Sequence, residues 1–458
     1  MSQYETMTDV ITNEDLYLSS FQALERAFAH TDPQWLHRIR QEAIQSFAGL
    51  GFPNTRDEEW RFTNVAPLAK LLFQAAPDET STWQGKGLER ALLGDGVDIR
   101  LVFLNGHYCE ALSATLSATL GSLPAGVQAG SLAAMLQRSD GALDDHLARY
   151  ADYRTHPFVA LNTAFWQDGA YLRFPKGTVL EKPVHLVYLS TAEETPLVSS
   201  PRTLIVAERE SQVTVVESYI GMGQGVCFSN AVSEIVVGEN AVLDHHKLLW
   251  ENALSYHMAT LQVYQDRSAN FSSCAVSLGG ALARNEVNAV LDAEGAECAL
   301  NGLYLARDHE HVDNRTTLDH AKPHGSSREL YHGILDDHST GVFNGRIIVR
   351  PGAQKTDAIQ KNRNLLLSGN AVINTKPQLE IYNNDVRCTH GATIGQLDPE
   401  ALFYLRARGI GYEDARSILI YAFAGDILER VRPAAVRTWI EKVLRSRLAQ
   451  GTSRKEAV

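Results

Sequence analysis

Gly238-Glu239-Asn240-Ala241-Val242-Leu243 places a turn directly before a run of small and aliphatic residues. A similar phrase returns at Gly295-Ala296-Glu297-Cys298-Ala299-Leu300 and at Gly369-Asn370-Ala371-Val372-Ile373. In each phrase glycine permits a tight corner, and the small and aliphatic residues that follow suit a strand in a stacked coil. The separations between the phrases are unequal, so they favour a parallel β-helix without establishing a strict repeat.

The sequence around these phrases consists of short β-branched runs that are closed by Gly, Asn, Pro or charged residues. The first of these runs are Tyr171–Phe174, Val184–Leu189, Thr203–Ala207, Gln212–Glu217 and Glu234–Val237. A β-sandwich is the alternative, since it uses hairpin turns with the Asn-Gly sequence that occurs at 301–302 and 344–345. A sandwich domain more often ends within about 250 residues, so we favour the β-helix.

Helical patterns flank this β region on both sides. Apolar residues recur at intervals of three and four over 14–50, with a break at Asp32-Pro33, and again over 132–150, while 99–106 reads as a strand and a turn. After the β region, Asp398 is suited to cap a helix that starts at Pro399 and stops at Gly409. Two more helices are expected, over 413–424 and from about residue 433. We therefore predict a mixed helical domain at 1–157, a β-helix core at 158–396 and a helical domain at 397–458.

Composition excludes several classes of protein. The chain has 458 residues and a formal net charge of −12, which disfavours binding to nucleic acid. It has no uninterrupted apolar stretch of the ~18 residues that a membrane helix needs, and its first residues do not resemble a signal peptide. Its five cysteines are widely spaced and never form Cys-x-x-Cys, so we expect reduced thiols in a cytoplasmic protein.

The usual sequence signatures of catalysis are missing. The chain contains no Gly-x4-Gly-Lys-Ser/Thr loop for ATP, no dinucleotide-binding fingerprint at the glycine-rich stretch 221–225 and no Gly-x-Ser-x-Gly nucleophile elbow. We therefore expect a protein that is not an enzyme and whose energy, if any is needed, comes from a partner.

A histidine-rich stretch offers a weak candidate metal site. If residues 308–315 are extended, His309, His311 and Asp313 project to one face, and imidazole and carboxylate groups suit iron or zinc, as in a cupin-like centre. The alternative is a hydrated strand face whose histidines hydrogen-bond to their neighbours, and the pattern favours that alternative.

Cys388 and His390 form the second candidate site. They are two residues apart, so in a strand they lie on the same side, and both are competent iron ligands. Two ligands cannot complete a cluster that usually takes four, so the others would come from elsewhere in the fold or from another chain. A structural cysteine and a hydrogen-bonded histidine are the alternative.

Six ordered motifs in the last third of the chain resemble the SufB/SufD family. A seventh motif, Glu59-Trp60-Arg61-Phe62-Thr63, resembles the N-terminal signature of the SufD branch. The six are Val342-Phe343-Asn344-Gly345-Arg346-Ile347-Ile348-Val349, Ala353-Gln354-Lys355-Thr356-Asp357-Ala358, Asn364-Leu365-Leu366-Leu367-Ser368, Thr375-Lys376-Pro377-Gln378-Leu379-Glu380-Ile381-Tyr382, Asp385-Val386-Arg387-Cys388-Thr389-His390-Gly391-Ala392-Thr393 and Phe403-Tyr404-Leu405-Arg406-Ala407-Arg408-Gly409-Ile410.

Two features of these motifs resemble the SufD branch more than the SufB branch. SufB-like chains carry a cysteine near Leu-Leu-Leu-Ser as the proposed cluster-building thiol, whereas residues 361–364 read Lys-Asn-Arg-Asn. SufB-like chains also tend to read His-Glu-Ala-Thr where this chain reads His390-Gly391-Ala392-Thr393.

The resemblance implies a scaffold subunit for iron-sulfur cluster assembly, built on a right-handed parallel β-helix between helical domains. It implies pairing with a SufB-like subunit through the β-helix, with His390 at the interface and Cys388 beside it. It also implies that transient iron or a cluster is shared between the two subunits and is not tightly bound by this chain alone. It also implies binding of a SufC-like ATPase through the C-terminal helices, and a homodimer is an alternative assembly. The motif residues that would dock the ATPase are Phe403, Tyr404, Leu405, Arg406, Arg408, Gly409 and Ile410.

Two other functions remain open at the level of sequence. β-Helix enzymes that act on acidic polysaccharides present Asp, Arg and His in a groove, although the lack of an export signal argues against one. A cupin-like metalloprotein built on the 309–313 stretch would carry stoichiometric metal.

Overall fold

The computed structural model describes residues 13–83, 85, 87–97, 99–116, 123–138, 141 and 143–455. The fold is mainly β, a parallel β-solenoid of about 8 turns with helices at both ends of the chain, as the sequence predicted. The α-helices of the described residues are α1 (Asn13–Thr31), α2 (Gln34–Leu50), α3 (Ala66–Ala69), α4 (Glu110–Leu116), α5 (Leu132–Leu136), α6 (Pro157–Phe165), α7 (Pro399–Ala407), α8 (Tyr412–Leu428) and α9 (Ala434–Lys455).

The strands of the described residues are β1 (Gln74–Ala75), β2 (Ile99–Leu104), β3 (His107–Tyr108), β4 (Gln128–Ser131), β5 (Ala170–Phe174), β6 (Val184–Ser190), β7 (Leu197–Ser199), β8 (Arg202–Ala207), β9 (Gln212–Gly221), β10 (Cys227–Val237), β11 (Val242–Trp250), β12 (Tyr256–Gln265), β13 (Asn270–Ser277), β14 (Leu282–Leu291), β15 (Glu297–Ala306), β16 (His311–His320), β17 (Ser326–Leu335), β18 (Thr340–Val349), β19 (Asp357–Leu366), β20 (Val372–Ile381) and β21 (Arg387–Gly395).

The strands form two sheets that face each other across the solenoid. From β8 onward, even-numbered strands stack in one sheet, which ends at β20, and odd-numbered strands stack in the other, which ends at β21. Neighbouring strands are parallel and in register, as in β18 with β20 and β19 with β21. One corner of the successive coils is turned by residues with positive φ, namely Asn240, Ser268, Gly295, His324 and Lys355. The turn phrases at 238 and 295 therefore mark the same corner of different coils.

Alternation along each strand sends every second side chain into the interior. The interior cluster includes Leu243, Phe271, Cys298, Phe343 and Val349, all of which are almost completely buried. Burial of apolar surface contributes about 25 cal/mol per Å², so this continuous column is the main source of stability for the stack.

The two Asn-Gly pairs lie inside strands and do not form hairpin turns. Gly302 is in β15, and a Cβ added to it would lie 2.2 Å from the ring of Tyr331 on the neighbouring coil. Gly345 is in β18, and its Cβ would lie 2.2 Å from Nε2 of Gln360. Glycine is needed at both positions because larger neighbours occupy the interior space.

The N-terminal helices follow the predicted boundaries, with the break at residues 32–33 between α1 and α2. Arg40 of α2 is buried and pairs with Asp32 at 2.6 Å, and it also donates to the carbonyl of Trp166 at 2.7 Å. This arginine therefore ties the helical pair to the first coils of the solenoid. β2, in the same N-terminal region, pairs with β6 in parallel, so residues 99–104 extend the sheet beyond the β region that starts at residue 158.

The helix expected over 132–150 is wrong for most of its length, since α5 ends at Leu136 and residues 143–151 form turns. The physical reason is the buried carboxylate of Glu234, which accepts hydrogen bonds from the backbone N–H groups of Ala148, Tyr150 and Ala151 at 2.8 to 2.9 Å. Glu234 in turn pairs with the buried Arg202 at 2.6 Å. These backbone donors are thus used by the solenoid and not by a helix.

The C-terminal helices pack against the odd-numbered sheet. Arg447 of α9 donates to both carboxylate oxygens of Glu310, at 2.7 and 2.9 Å, and to the carbonyl of Leu278. The side chain of Asp398 caps α7 and Gly409 follows with φ +87°, as predicted, whereas α8 continues through residue 425 to Leu428. Among the described helices, none is long and apolar enough to cross a membrane.

Candidate functional site

The last coil of the solenoid, formed by β20 and β21, leaves the interior open. Ile381 continues the inward column of the buried Val349, yet it is 40% exposed. Ile394 continues the column of the buried Asn364, yet it is 51% exposed. Both strands are the outermost members of their sheets, so their outer N–H and C=O groups have no strand partner among the described residues. We call this surface, residues 372–395, the open end.

Cys388 and His390 lie together at the open end, on β21. Cys388 is in register with Ala358 and packs partly against the interior cluster, which shows that this face of β21 points inward. His390, two residues later on the same face, is in register with Gln360 and is exposed. In the structure the thiol and the imidazole therefore share one side of a strand.

Cys388 and His390 differ in how far they are exposed to solvent. Desolvation raises the pKa of the Cys388 thiol, so the neutral thiol is favoured near pH 7 and this cysteine is a poor ligand until it is deprotonated. His390 is solvent-exposed and accessible to another molecule. Among the described residues, no group of three or more His, Cys, Asp or Glu side chains is arranged to hold a metal ion. Further ligands for a metal at the open end would have to come from elsewhere.

Charged pairs surround the open end. Lys355 pairs with Asp385 at 2.8 Å on one corner, and Lys376 of β20 pairs with Glu58 of the N-terminal segment at 2.6 Å. These pairs are exposed, so solvent screening leaves them little effect on stability. They give the rim of the apolar opening a polar border, which is typical of protein interfaces.

A second exposed apolar surface lies on α7 and the start of α8. No side chain of α7 is buried, and Phe403 and Tyr404 are 74% and 55% exposed. The guanidinium of Arg408 lies 4.3 Å from the centre of the Tyr404 ring, and that of Arg406 lies 5.7 Å from the ring of Tyr412. The other residues of the predicted docking motif, Leu405, Gly409 and Ile410, lie in the same helix and the turn after it. We call this surface the α7 patch.

The structure keeps His311 and Asp313 on one face of β16, where both contact the hydroxyl of Thr63, and places His309 apart from them. His309 lies in the exposed turn before β16, where its ring stacks on that of His338 at 5.3 Å. His311 begins β16 and is within 3.2 Å of the hydroxyl of Thr63. The buried carboxylate of Asp313 accepts hydrogen bonds from Arg284 at 2.7 Å and from Thr63 at 2.6 Å. That carboxylate is thus engaged by groups of the chain itself.

The segment Glu59–Thr63 forms a clamp over the even-numbered sheet, a role that sequence reasoning missed. Besides the contact of Thr63 with Asp313, the ring of Trp60 covers the guanidinium of Arg284 at 3.6 Å. Arg315 donates to the side chain of Glu59 at 2.7 Å. The signal in the sequence was the mixture of charged and aromatic residues, but their partners lie more than 200 positions away and could not be identified from the segment alone.

Sequence reasoning also missed the ionisable groups inside the solenoid. Lys247 of β11 is buried and donates to Asn285 at 2.7 Å, and its ammonium nitrogen lies 2.9 Å from Nε2 of His257. Burial lowers the pKa of Lys247 to about 7, and the carboxylates of Glu217 and Glu251 only partly oppose this effect. In the sequence these polar residues stand at the alternate positions whose side chains point into the interior, in strands that are otherwise apolar. That pattern is the signal that could have identified them.

Comparison with known proteins gives consistent matches along the chain. The family model for the SufBD core domain of the SUF system for FeS cluster assembly matches residues 188–423, and that for the SufBD protein N-terminal region matches residues 11–186. A SufBD family iron-sulfur cluster assembly protein of Synechocystis sp. is 35% identical over 89% of this chain and 90% of its own length. The iron-sulfur cluster assembly protein SufD of Escherichia coli is 34% identical over 90% of this chain and 93% of its own. SufD of Bacillus subtilis is 26% identical over 96% of this chain and 99% of its own.

Proposed function

This chain belongs to the SufBD family of the SUF system, whose members take part in iron-sulfur cluster assembly, and on that premise we propose that it is a non-catalytic scaffold subunit that pairs with a SufB-like subunit through the open end. The single observation that carries the proposal is the uncovered last coil, where side chains of interior columns are exposed and His390 stands among them. An exposed edge of this kind is normally covered, and a second solenoid is the complementary cover.

The chemistry of the open end fits shared assembly of a cluster. His390 offers one imidazole, and a thiolate from a SufB-like subunit would approach it when the two ends meet. Iron or a transient cluster is then cargo held between two chains, and the described residues of this one supply only part of a ligand set. Cys388 lies beside the imidazole, and a cation in the interface would favour its deprotonation.

The α7 patch supports the second half of the proposal, docking of a SufC-like ATPase. Large apolar side chains that are more than half exposed, flanked by arginines, are the usual composition of a protein interface. Movement of docked ATPase subunits would be transmitted through α8 and α9 to the solenoid, since Arg416 of α8 pairs with Asp336 at 2.5 Å and Arg447 of α9 with Glu310.

Co-expression with SufB-like and SufC-like subunits tests both surfaces separately. We expect the wild-type chain to copurify with both partners. Ile394→Asp should release the SufB-like subunit and keep the ATPase, and Phe403→Asp should do the reverse, because each variant places a charge in one apolar contact. Leu72→Asp, at a side chain that is 65% exposed and far along the chain from both surfaces, is the matched control and should behave as wild type. If the wild-type chain copurifies with neither partner, or if the two variants fail to separate the partners, the proposal is wrong.

A further inference from the structure

A column of polar side chains runs through the solenoid interior to the open end. Glu329 of β17, Gln360 of β19 and His390 of β21 are in register on three successive strands. Glu329 and Gln360 are 3% and 0% exposed, respectively. Side chains at equivalent positions of paired strands repeat at a spacing of about 4.8 Å, so His390 forms the next layer on Gln360.

The two buried members of the column, Glu329 and Gln360, are hydrogen-bonded to each other. Nε2 of Gln360 donates to a carboxylate oxygen of Glu329 at 2.7 Å. The carbonyl oxygen Oε1 of Gln360 is buried and accepts no hydrogen bond among the described residues. Gly345, on the opposite sheet, leaves the space in which the carboxamide sits, since any larger residue there would collide with Nε2. The Glu329 carboxylate therefore sets the orientation of the carboxamide, which leaves one acceptor unsatisfied.

An unsatisfied buried carbonyl oxygen destabilises the fold, and such groups are rare in folded proteins. The residue in the next layer is an exposed histidine, whose neutral ring carries one N–H donor and one acceptor nitrogen. The ring N–H of His390 is therefore the candidate donor to Oε1 from the next layer of the column.

We propose that Gln360 is a positioning residue for His390: its carboxamide oxygen accepts a hydrogen bond from one ring N–H, which leaves the other ring nitrogen unprotonated and directed toward the open end. Glu329 acts behind it by fixing which end of the carboxamide faces the ring. The inference rests on the proposed function, because the free nitrogen is the one that would meet iron or the thiol of a partner. It resembles the outer layer of hydrogen bonds that orients histidine ligands in metal sites.

The column also has a pH-dependent feature. Burial raises the pKa of Glu329 to about 7, against the opposing effects of Thr316 and Gln360. The other groups that interact with this carboxyl, the Cys298 thiol and the Tyr331 phenol, are kept neutral because burial raises their pKa values. The neutral acid can donate to Oε1, whereas the carboxylate can only accept from Nε2. The carboxamide is therefore expected to reverse, and the favoured ring tautomer of His390 with it, as pH falls through 7.

Histidine-selective 15N labelling of the full-length chain tests the inference without any partner, with the His390 signals assigned from His390→Gln. In wild type above pH 7.5, we expect the two ring nitrogens of His390 to have the widely separated shifts of one neutral tautomer. Gln360→Met should move both toward the values of a tautomer mixture. Glu329→Gln should keep the carboxamide contact and abolish the additional change of tautomer near pH 7.

Gln265→Met is the matched control. Gln265 is a buried carboxamide on β12, with Nε2 bonded to backbone oxygens and Oε1 without a partner among the described residues, and it lies several coils away from His390. Both variants should lower the melting temperature, but only Gln360→Met should move the His390 signals. If the signals are the same in wild type and in Gln360→Met, the column is only a packing feature and the inference is wrong.

Failure of the inference is distinguishable from failure of the proposed function. Copurification with the SufB-like subunit tests the open end as an interface, whereas the ring signals test the column in the isolated chain. In the assembled complex, Gln360→Met should weaken iron binding by about 10-fold or more, as other losses of outer-layer support do. If Gln360→Met has the His390 ring signals of wild type and still copurifies with the SufB-like subunit, the role of Gln360 is rejected and the proposed interface is not.

Discussion

His390 is the residue on which the proposed chemistry depends, and its exposure makes it testable without damage to the fold. His390→Ala removes an exposed imidazole whose only proposed contact inside the chain is the hydrogen bond to Gln360, so the variant should fold and lose no more than the roughly 1 to 3 kcal/mol that one unsatisfied buried acceptor costs. Cluster maturation, measured as the activity of an iron-sulfur enzyme in cells that lack a backup pathway, should fall by about 10-fold or more. His324→Ala, at an exposed histidine on a coil corner, is the control and should leave maturation unchanged. Equal maturation in wild type and His390→Ala would contradict the assignment.

Lys247 gives a second prediction at the residue scale, on pH and stability. Its pKa is about 7 in the fold and has its ordinary value of 10.5 in the unfolded chain, so between these values the folded state binds fewer protons. Stability therefore rises with pH across that window through this residue, and the gain is lost as pH falls through 7. Lys247→Met should remove the rise, which we expect to exceed about 1 kcal/mol.

Thermal unfolding at pH 7 and pH 9.5 measures this effect as the change in melting temperature between the two conditions. That change should be more positive for wild type than for Lys247→Met. Lys70→Met, at an exposed lysine, should match wild type. If all three proteins respond equally to pH, Lys247 is charged in the fold and the assignment of its environment is wrong.

The Glu59–Thr63 clamp belongs to the scale of the element, since it joins the N-terminal segment to the solenoid through Asp313. Thr63→Val keeps the shape of the side chain but removes one donor from a buried carboxylate, which should cost about 1 to 3 kcal/mol. Thr55→Val, in the same segment but exposed, should change stability by less than about 0.5 kcal/mol. Chemical denaturation of both variants decides the matter, and equal stabilities would show that the clamp is not closed in solution.

The helices and strands themselves were predictable wherever local signals decide their bounds. Asp398 and Pro399 begin α7, and the break at 32–33 ends α1, because caps and prolines act within a few residues. Residues 132–150 were not predictable, because Glu234, distant in sequence, takes the backbone donors of the last turns. The sequence of a strand shows that a polar residue such as Gln360 falls at a position whose side chain points inward. Its hydrogen-bond partners could not be predicted, because they depend on which coils are stacked next to each other.

The candidate site followed from the sequence only as far as the pair Cys388 and His390 on one face of a strand. Their position at the open end could not be read from the local pattern, because β21 has the same alternation as the covered strands before it. What distinguishes it is that no strand of the described part of the chain follows it in its sheet, which is a property of the whole stack. The family resemblance supplied this location, and the register of β19 with β21 gives it a physical basis.

At the scale of the whole molecule, the open end predicts an association of the chain with itself when no partner is present. Unpaired edge groups and the exposed Ile381 and Ile394 favour contact with any complementary end, and a second copy offers the same surface around a twofold axis. Sedimentation equilibrium of the isolated chain should show a dimer that dissociates on dilution. Ile394→Asp should be monomeric at the same concentrations, and Leu72→Asp should behave as wild type.

Addition of a SufB-like subunit should convert the homodimer into a heterodimer of the two subunits, because both dimers use the open end. A wild-type chain that stays monomeric at tens of micromolar, or an Ile394→Asp variant that still dimerises, would exclude the open end as the contact.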